Sequence, residues 1–106
     1  MTANGSENTV DFGYLESFTA GDRTVISEVL ALFAQQAALW NEGLDAANPG
    51  WADLVHTIKG AARGVGANVL GDVCARTEAK GVSGLPAIKA ALDVALAEMS
   101  VYLGKA

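Results

Sequence analysis

From Val25 to Leu44 the apolar residues Val25, Ile26, Val29, Leu30, Phe33, Ala37, Trp40 and Leu44 recur at spacings of three and four, and no stretch of the chain shows a convincing spacing of two. An α-helix turns once every 3.6 residues, so these side chains form one stripe that must be buried against other elements. A half-buried strand would need strict alternation instead. The chain is therefore restricted to helices packed on helices, and the remaining question is how many there are and where they end.

Turn and cap residues divide the sequence. Phe12, Leu15 and Phe18 lie about one turn apart, which predicts a short helix over Asp11 to Phe18, stopped by Gly21. Asp22 can cap the long helix that follows. Asn48-Pro49-Gly50 ends that helix and starts the next, with Asn48 as cap and Pro49 at the first helical position, where no N–H donor is needed. This third helix is predicted to run from Pro49 to about Gly64. A fourth runs from Asn68 to Lys80 with Val69, Leu70, Val73, Cys74 and Thr77 as its pattern, and Gly81 closes it. The last begins at Leu85-Pro86 and carries Leu85, Ile88, Leu92, Ala95, Leu96, Met99, Tyr102 and Leu103. Four substantial amphipathic helices with short connections close most simply as an all-α antiparallel four-helix bundle, with the short N-terminal helix covering one end. Residues 1 to 9 are polar and without period and read as a flexible leader, leaving 10 to 106 as one helical domain.

Charge narrows the partners. Seven Lys and Arg against 12 Asp and Glu give a formal charge of −5, so nucleic acid and anionic membranes are disfavoured and protein partners favoured. No apolar run reaches the roughly 18 residues of a membrane span, and the N-terminus has no signal-peptide pattern, so the expected location is the cytoplasm. Cys74 has no second cysteine to pair with, and with a single histidine there is no zinc-ligand cluster; its expected role is packing.

That single histidine, His56, is the one side chain suited to act as nucleophile and proton acceptor near neutral pH. At about 100° per residue, Trp51, Leu54, Val55, Ile58, Ala61, Ala62 and Val65 share one side of the third helix and His56 falls nearly opposite. Lys59, Gly60 and Arg63 share its face. Two cations beside an exposed imidazole favour a dianionic group attached to the ring. Gly60 costs about 1 kcal/mol relative to alanine inside a helix, and clearance for a partner approaching the ring is the role that would compensate.

The run His56-Thr57-Ile58-Lys59-Gly60-Ala61-Ala62-Arg63-Gly64-Val65-Gly66-Ala67 resembles the signature of histidine-containing phosphotransfer (HPt) domains: H-x-x-K-G, two small residues, a gap of two, then an aliphatic residue, Gly and a small residue. The resemblance extends over roughly residues 10 to 103. It implies a bundle whose exposed histidine accepts a phosphoryl group from an aspartyl phosphate on one response-regulator receiver domain and donates it to another, within a relay fed by a (hybrid) histidine kinase. It further implies that His56 is the phospho-acceptor, Lys59 the phosphate-side cation and Gly60 the clearance residue. The receiver supplies the Asp, the Mg²⁺ and most of the catalysis, so the chain is a carrier rather than an enzyme and needs no cofactor of its own. A polar side chain on the following helix orients the ring in other members, and Glu78 or Arg76 could fill that place here. A free-standing monomer is the expected state.

Two other readings compete. An HPt-like bundle could bind and modulate a receiver or kinase without carrying phosphate, against which stands the intact His56. A hydrolase using His56 as general base would need a nearby nucleophile and an orienting carboxylate, and the nearest acid in sequence, Asp53, is itself on the exposed face. Arg63, Arg76 and Lys80 read singly as solvated charges, and Trp40 and Trp51 as bundle packing.

Overall fold

The computed structural model describes residues 8–104. Among the described residues five α-helices follow one another: α1 (Phe12–Phe18), α2 (Arg23–Gly43), α3 (Trp51–Gly64), α4 (Asn68–Lys80) and, after a 3₁₀ turn at Val82–Gly84, α5 (Leu85–Gly104). The last four form the antiparallel bundle, α3 packing most extensively on α4, α4 on α5, and α2 closing the ring against both α3 and α5. Residues 1–7 of the expected leader lie outside the described part; Thr9, also assigned to it, is fastened by its backbone to α5.

Local chemistry explains most boundaries. The Asp22 carboxylate accepts from the Thr24 and Val25 amides (3.0 and 3.2 Å) and starts α2, while Asp11 does the same for α1 through Tyr14 (3.0 Å). Gly81, at φ +100°, ends α4 in the left-handed region. The start of α3 differs from the sequence expectation by two residues. Asn48 is not its cap: its side-chain amide donates back to the Gly43 carbonyl (2.9 Å), satisfying an orphan acceptor at the end of α2, and its oxygen accepts from the Gly50 amide (2.9 Å). Helix α3 therefore begins at Trp51.

The core takes Ile26, Leu30, Phe33, Ala37, Trp40 and Leu44 from the α2 segment, Val55, Ile58, Ala62 and Val65 from α3, Leu70 and Cys74 from α4, and Leu85, Ile88, Leu92, Ala95 and Met99 from α5. Trp40 packs edge-on against Phe33 with ring centroids 5.3 Å apart, and Trp51 is partly buried beside the core. One expectation about packing is corrected: Val25, counted in the buried stripe of α2, is exposed. Phe18, at the end of α1, is exposed too. The buried stripe of α2 is narrower than the apolar one; Val25, Val29, Leu32 and Leu39 form a second row that the bundle leaves open or half-covered.

The N-terminal segment is strapped across the end of the bundle that holds the α3–α4 turn. The amides of Thr9 and Val10 donate to the Glu98 carboxylate (2.8 and 2.9 Å), and the Asp11 amide donates to the Gly66 carbonyl (2.8 Å). Phe12 stacks on Tyr102, whose hydroxyl donates to Glu16 (2.6 Å). Gly66 is at φ +84°, and a Cβ there would stand 2.7 Å from the Asp11 carbonyl oxygen. Gly66→Ala combines a left-handed backbone, about 1–2 kcal/mol for an alanine, with that collision. It is expected to destabilise by at least this amount, read as a lower urea midpoint at unchanged slope.

Candidate functional site

Burying Val55, Ile58, Ala62 and Val65 fixes the rotation of α3 and turns His56 outward, where its side chain is 74% exposed. The antiparallel pairing of α3 with α4 then decides what stands opposite. Ala67 lies in the turn, and the distances along the chain from it to His56 (67 − 56) and to Glu78 (78 − 67) are equal, so these residues meet as a rung of the ladder. Arg63 and Gly71, each four residues from Ala67, form another rung, the Arg63 Cγ lying 2.9 Å from where a Gly71 Cβ would be. Glycine at 71 leaves the space in which the Arg63 side chain lies against α4.

His56 Nδ1 lies 3.1 Å from Glu78 Oε2, and Lys59 Nζ donates to Glu78 Oε1 at 2.5 Å. The two hydrogen bonds, Lys59's first and His56's second, hold the Glu78 carboxyl below the ordinary carboxylate range. An ionised carboxylate only accepts, so the nitrogen facing it carries the proton, and in the neutral ring the lone pair is then on Nε2. Glu78 is therefore the residue of the following helix that orients the ring. Arg76, the other candidate, is two residues away, about 200° around the helix axis, and faces elsewhere.

The picture of an imidazole between two free cations is corrected by this geometry. Lys59 is 21% exposed and paired with Glu78, while Arg63 leans across the helix pair to Asp72 (3.6 Å). Glu78 also supplies the orienting carboxylate that the sequence reading of a hydrolase found missing. Cys74, the one thiol, is not available as a companion nucleophile: it is fully buried beneath this face, and burial, followed by the charge of Glu78, pushes it up to about 11. Among the described residues no group of three or more His, Cys, Asp or Glu could hold a metal ion, and no helix is long and apolar enough to cross a membrane.

Gly60 sits one turn beyond His56, and a Cβ built on it meets nothing within 4 Å; the same holds for Gly64 a turn further. Packing thus does not require glycine at either place. Between this smooth strip and α2 runs a shallow apolar groove lined by Val29, Leu32, Phe33, Gln36, Ala61 and Gly64.

An exposed histidine oriented by a carboxylate, on one helix of an antiparallel bundle and bordered by an open approach, defines the class: the Hpt domain family matches residues 23–101, and the chain belongs to it. It is a phosphorelay carrier, of a family that works with receiver domains and kinases in two-component systems. Among solved structures, the histidine phosphotransferase ShpA from Caulobacter crescentus is similar to it, with 54% sequence identity, a TM-score of 0.84, and coverage of 92% of this chain and 93% of that chain. No curated protein matches the sequence.

Because the space at Gly60 is open, Gly60→Ala is expected to raise stability by up to about 1 kcal/mol through helix propensity alone. The sign is opposite to that at Gly66, and one set of urea denaturation curves measures both.

Proposed function

We propose that His56 is the phospho-acceptor, taking a phosphoryl group on Nε2 from an aspartyl phosphate of one receiver domain and yielding it to the Asp of another. The observation that carries this is the hydrogen bond from Nδ1 to Glu78, which commits the ring to the tautomer whose exposed nitrogen is nucleophilic. In-line attack then needs little beyond position, since transfer of a loose phosphoryl group depends on alignment and charge stabilisation. The receiver contributes its Asp, its Mg²⁺ and most of that stabilisation, so this chain acts as a carrier and not as an enzyme in its own right.

Lys59 has three donors and spends one on Glu78, leaving others for the oxygens of a phosphoryl group on the neighbouring ring. Gly60 and Gly64 keep the strip beside the ring flat, and the uncharged groove towards α2 gives the receiver an apolar surface to cover as it brings its Asp to Nε2. We place this exchange in the cytoplasm, with the chain working as a monomer.

His56→Gln is expected to abolish phosphate uptake while shifting stability by no more than about 0.5 kcal/mol, the usual range for exposed substitutions. Acid-labile label after incubation with phosphorylated receivers checks the first half and thermal melting the second. Label retained on the variant would refute the assignment, and uptake by wild type separates a carrier from a module that only binds. Lys59→Ala is expected to slow single-turnover transfer about tenfold to a hundredfold, the loss of one charge-assisted contact of roughly 1.5–3 kcal/mol. Receiver affinity should change much less. A bulky residue at Gly60, such as Gly60→Gln, should slow transfer without unfolding the helix, and a rate equal to wild type would remove the clearance role.

A further inference from the structure

The inward stripe of α4 runs through Leu70, Cys74 and Thr77 and ends there, because Glu78, Ala79 and Lys80 face outward and Gly81 closes the helix. Among the described residues Thr77 is the one polar side chain buried in the core, 2% exposed. Its hydroxyl lies 2.9 Å from the Val73 carbonyl oxygen one turn back and 3.3 Å from the Gly84 carbonyl oxygen across the α4–α5 connection. The bond to Val73 is one that any threonine inside a helix can make. The reach to Gly84 is particular to this place. The Thr77 carbonyl also accepts from the Gly81 amide (2.8 Å), and the Gly84 amide donates to Gly81 (2.9 Å), so the residue is tied to this connection through its backbone and its side chain together. A Cβ at Gly84 would collide with the Thr77 hydroxyl and stand 2.9 Å from its Cβ and Cγ2. The threonine thus fills the space that a side chain at 84 would need.

We propose that Thr77 is a positioning residue of the phosphorelay site: it latches the last turn of α4 onto the Gly81–Gly84 connection, so that Glu78, the next residue, leaves the helix towards His56. The proposal rests on His56 being the carrier and adds to it a residue inside the bundle that acts on the ring through Glu78. Helix ends fray, and Glu78 stands two residues from the end of α4. Its own contacts are poor anchors for the turn, since its side chain is 32% exposed and reaches α3 through the side chains of His56 and Lys59. At about 100° per residue, the direction in which Glu78 points follows from the direction of Thr77. Beyond Cys74 no other side chain of α4 is buried, so rotation or fraying of this turn is resisted from within by Thr77. Valine in its place would fill nearly the same volume but lose the directional bond to Gly84. The bundle would stay folded while its last α4 turn, and Glu78 with it, lost a fixed direction.

The chain has one histidine, so ¹⁵N-histidine labelling reports the His56 ring alone, its nitrogen shifts giving the ratio of the two tautomers. Phosphoramidate, which needs no receiver, gives the rate of loading from ³¹P signals. Wild type, Thr77→Val, Thr77→Ala and Thr77→Ser would be compared, each alone and combined with Glu78→Ala, beside Ile26→Val as a core substitution on α2. One hydrogen bond shifts an equilibrium about twofold to tenfold, so Thr77→Val and Thr77→Ala should lower the ratio of Nδ1–H to Nε2–H ring by that factor and slow loading with it. Thr77→Ser keeps the hydroxyl and should match wild type. In the Glu78→Ala background the Thr77 substitutions should change neither reading, because effects that pass through one residue do not add. A merely structural loss would be equal in both backgrounds and would be reproduced by Ile26→Val. An unchanged tautomer ratio in Thr77→Val and Thr77→Ala would overturn the proposal, as would the same shift with and without Glu78, or in Ile26→Val. Should neither variant fold, hydrogen exchange of wild type decides: the Gly81 amide, bonded to the Thr77 carbonyl, should be protected, and exchange at the rate of an unstructured chain would show that the turn is not latched. Failure of wild type to take phosphate on His56 would remove the carrier reading itself, and would be seen before any variant is compared.

Discussion

The site depends on the packing of α3. Val55 and Ile58 are fully buried, and each contributes about 1.5–3 kcal/mol relative to exposure. Turning the helix to cover His56 would surrender those contributions and bury an imidazole in exchange. The helix therefore has one rotation, and with it the ring has one direction. Pairing with α4 adds the second constraint. Because the connection at Ala67 is short and the two helices run antiparallel, residues equidistant from the turn are brought face to face, and Gly71 leaves room for the Arg63 side chain between them. Position along the chain is converted into a chemical partnership between His56 and Glu78.

This is also why some of the site could be read from the sequence and some could not. The outward direction of His56, and the sharing of its face with Lys59, Gly60 and Arg63, follow from periodicity within one helix. The choice between Glu78 and Arg76 does not, because it depends on the register between two helices. A signal was present in the equal spacing of His56 and Glu78 about the turn, and it becomes usable once α3 and α4 are known to be neighbours. The fate of the two cations was hidden for the same reason: Lys59 and Arg63 find their partners on α4, out of view of any count along α3.

The fold shows a similar division. Helix number, order and most ends were legible because caps and glycines act locally, as at Asp22 and Gly81. Asn48 misled because its side chain serves the helix behind it rather than the one ahead, answering an unsatisfied carbonyl at Gly43. Val25 misled because apolar spacing reveals the direction of a stripe but not its width. How much of α2 is covered depends on where α3 and α5 come to rest, and these leave an uncharged margin on the side that leads to the histidine.

Cys74 lends the molecule a property unconnected with phosphate. It is the single thiol, wholly enclosed, and held mostly in its unreactive protonated form at neutral pH by a value of about 11. A soluble alkylating reagent can reach it only when α4 parts from the rest of the bundle, so the rate of modification is a clock for that opening. Since the same helix carries Glu78, such a clock would time how often the orienting carboxylate is drawn away from the ring.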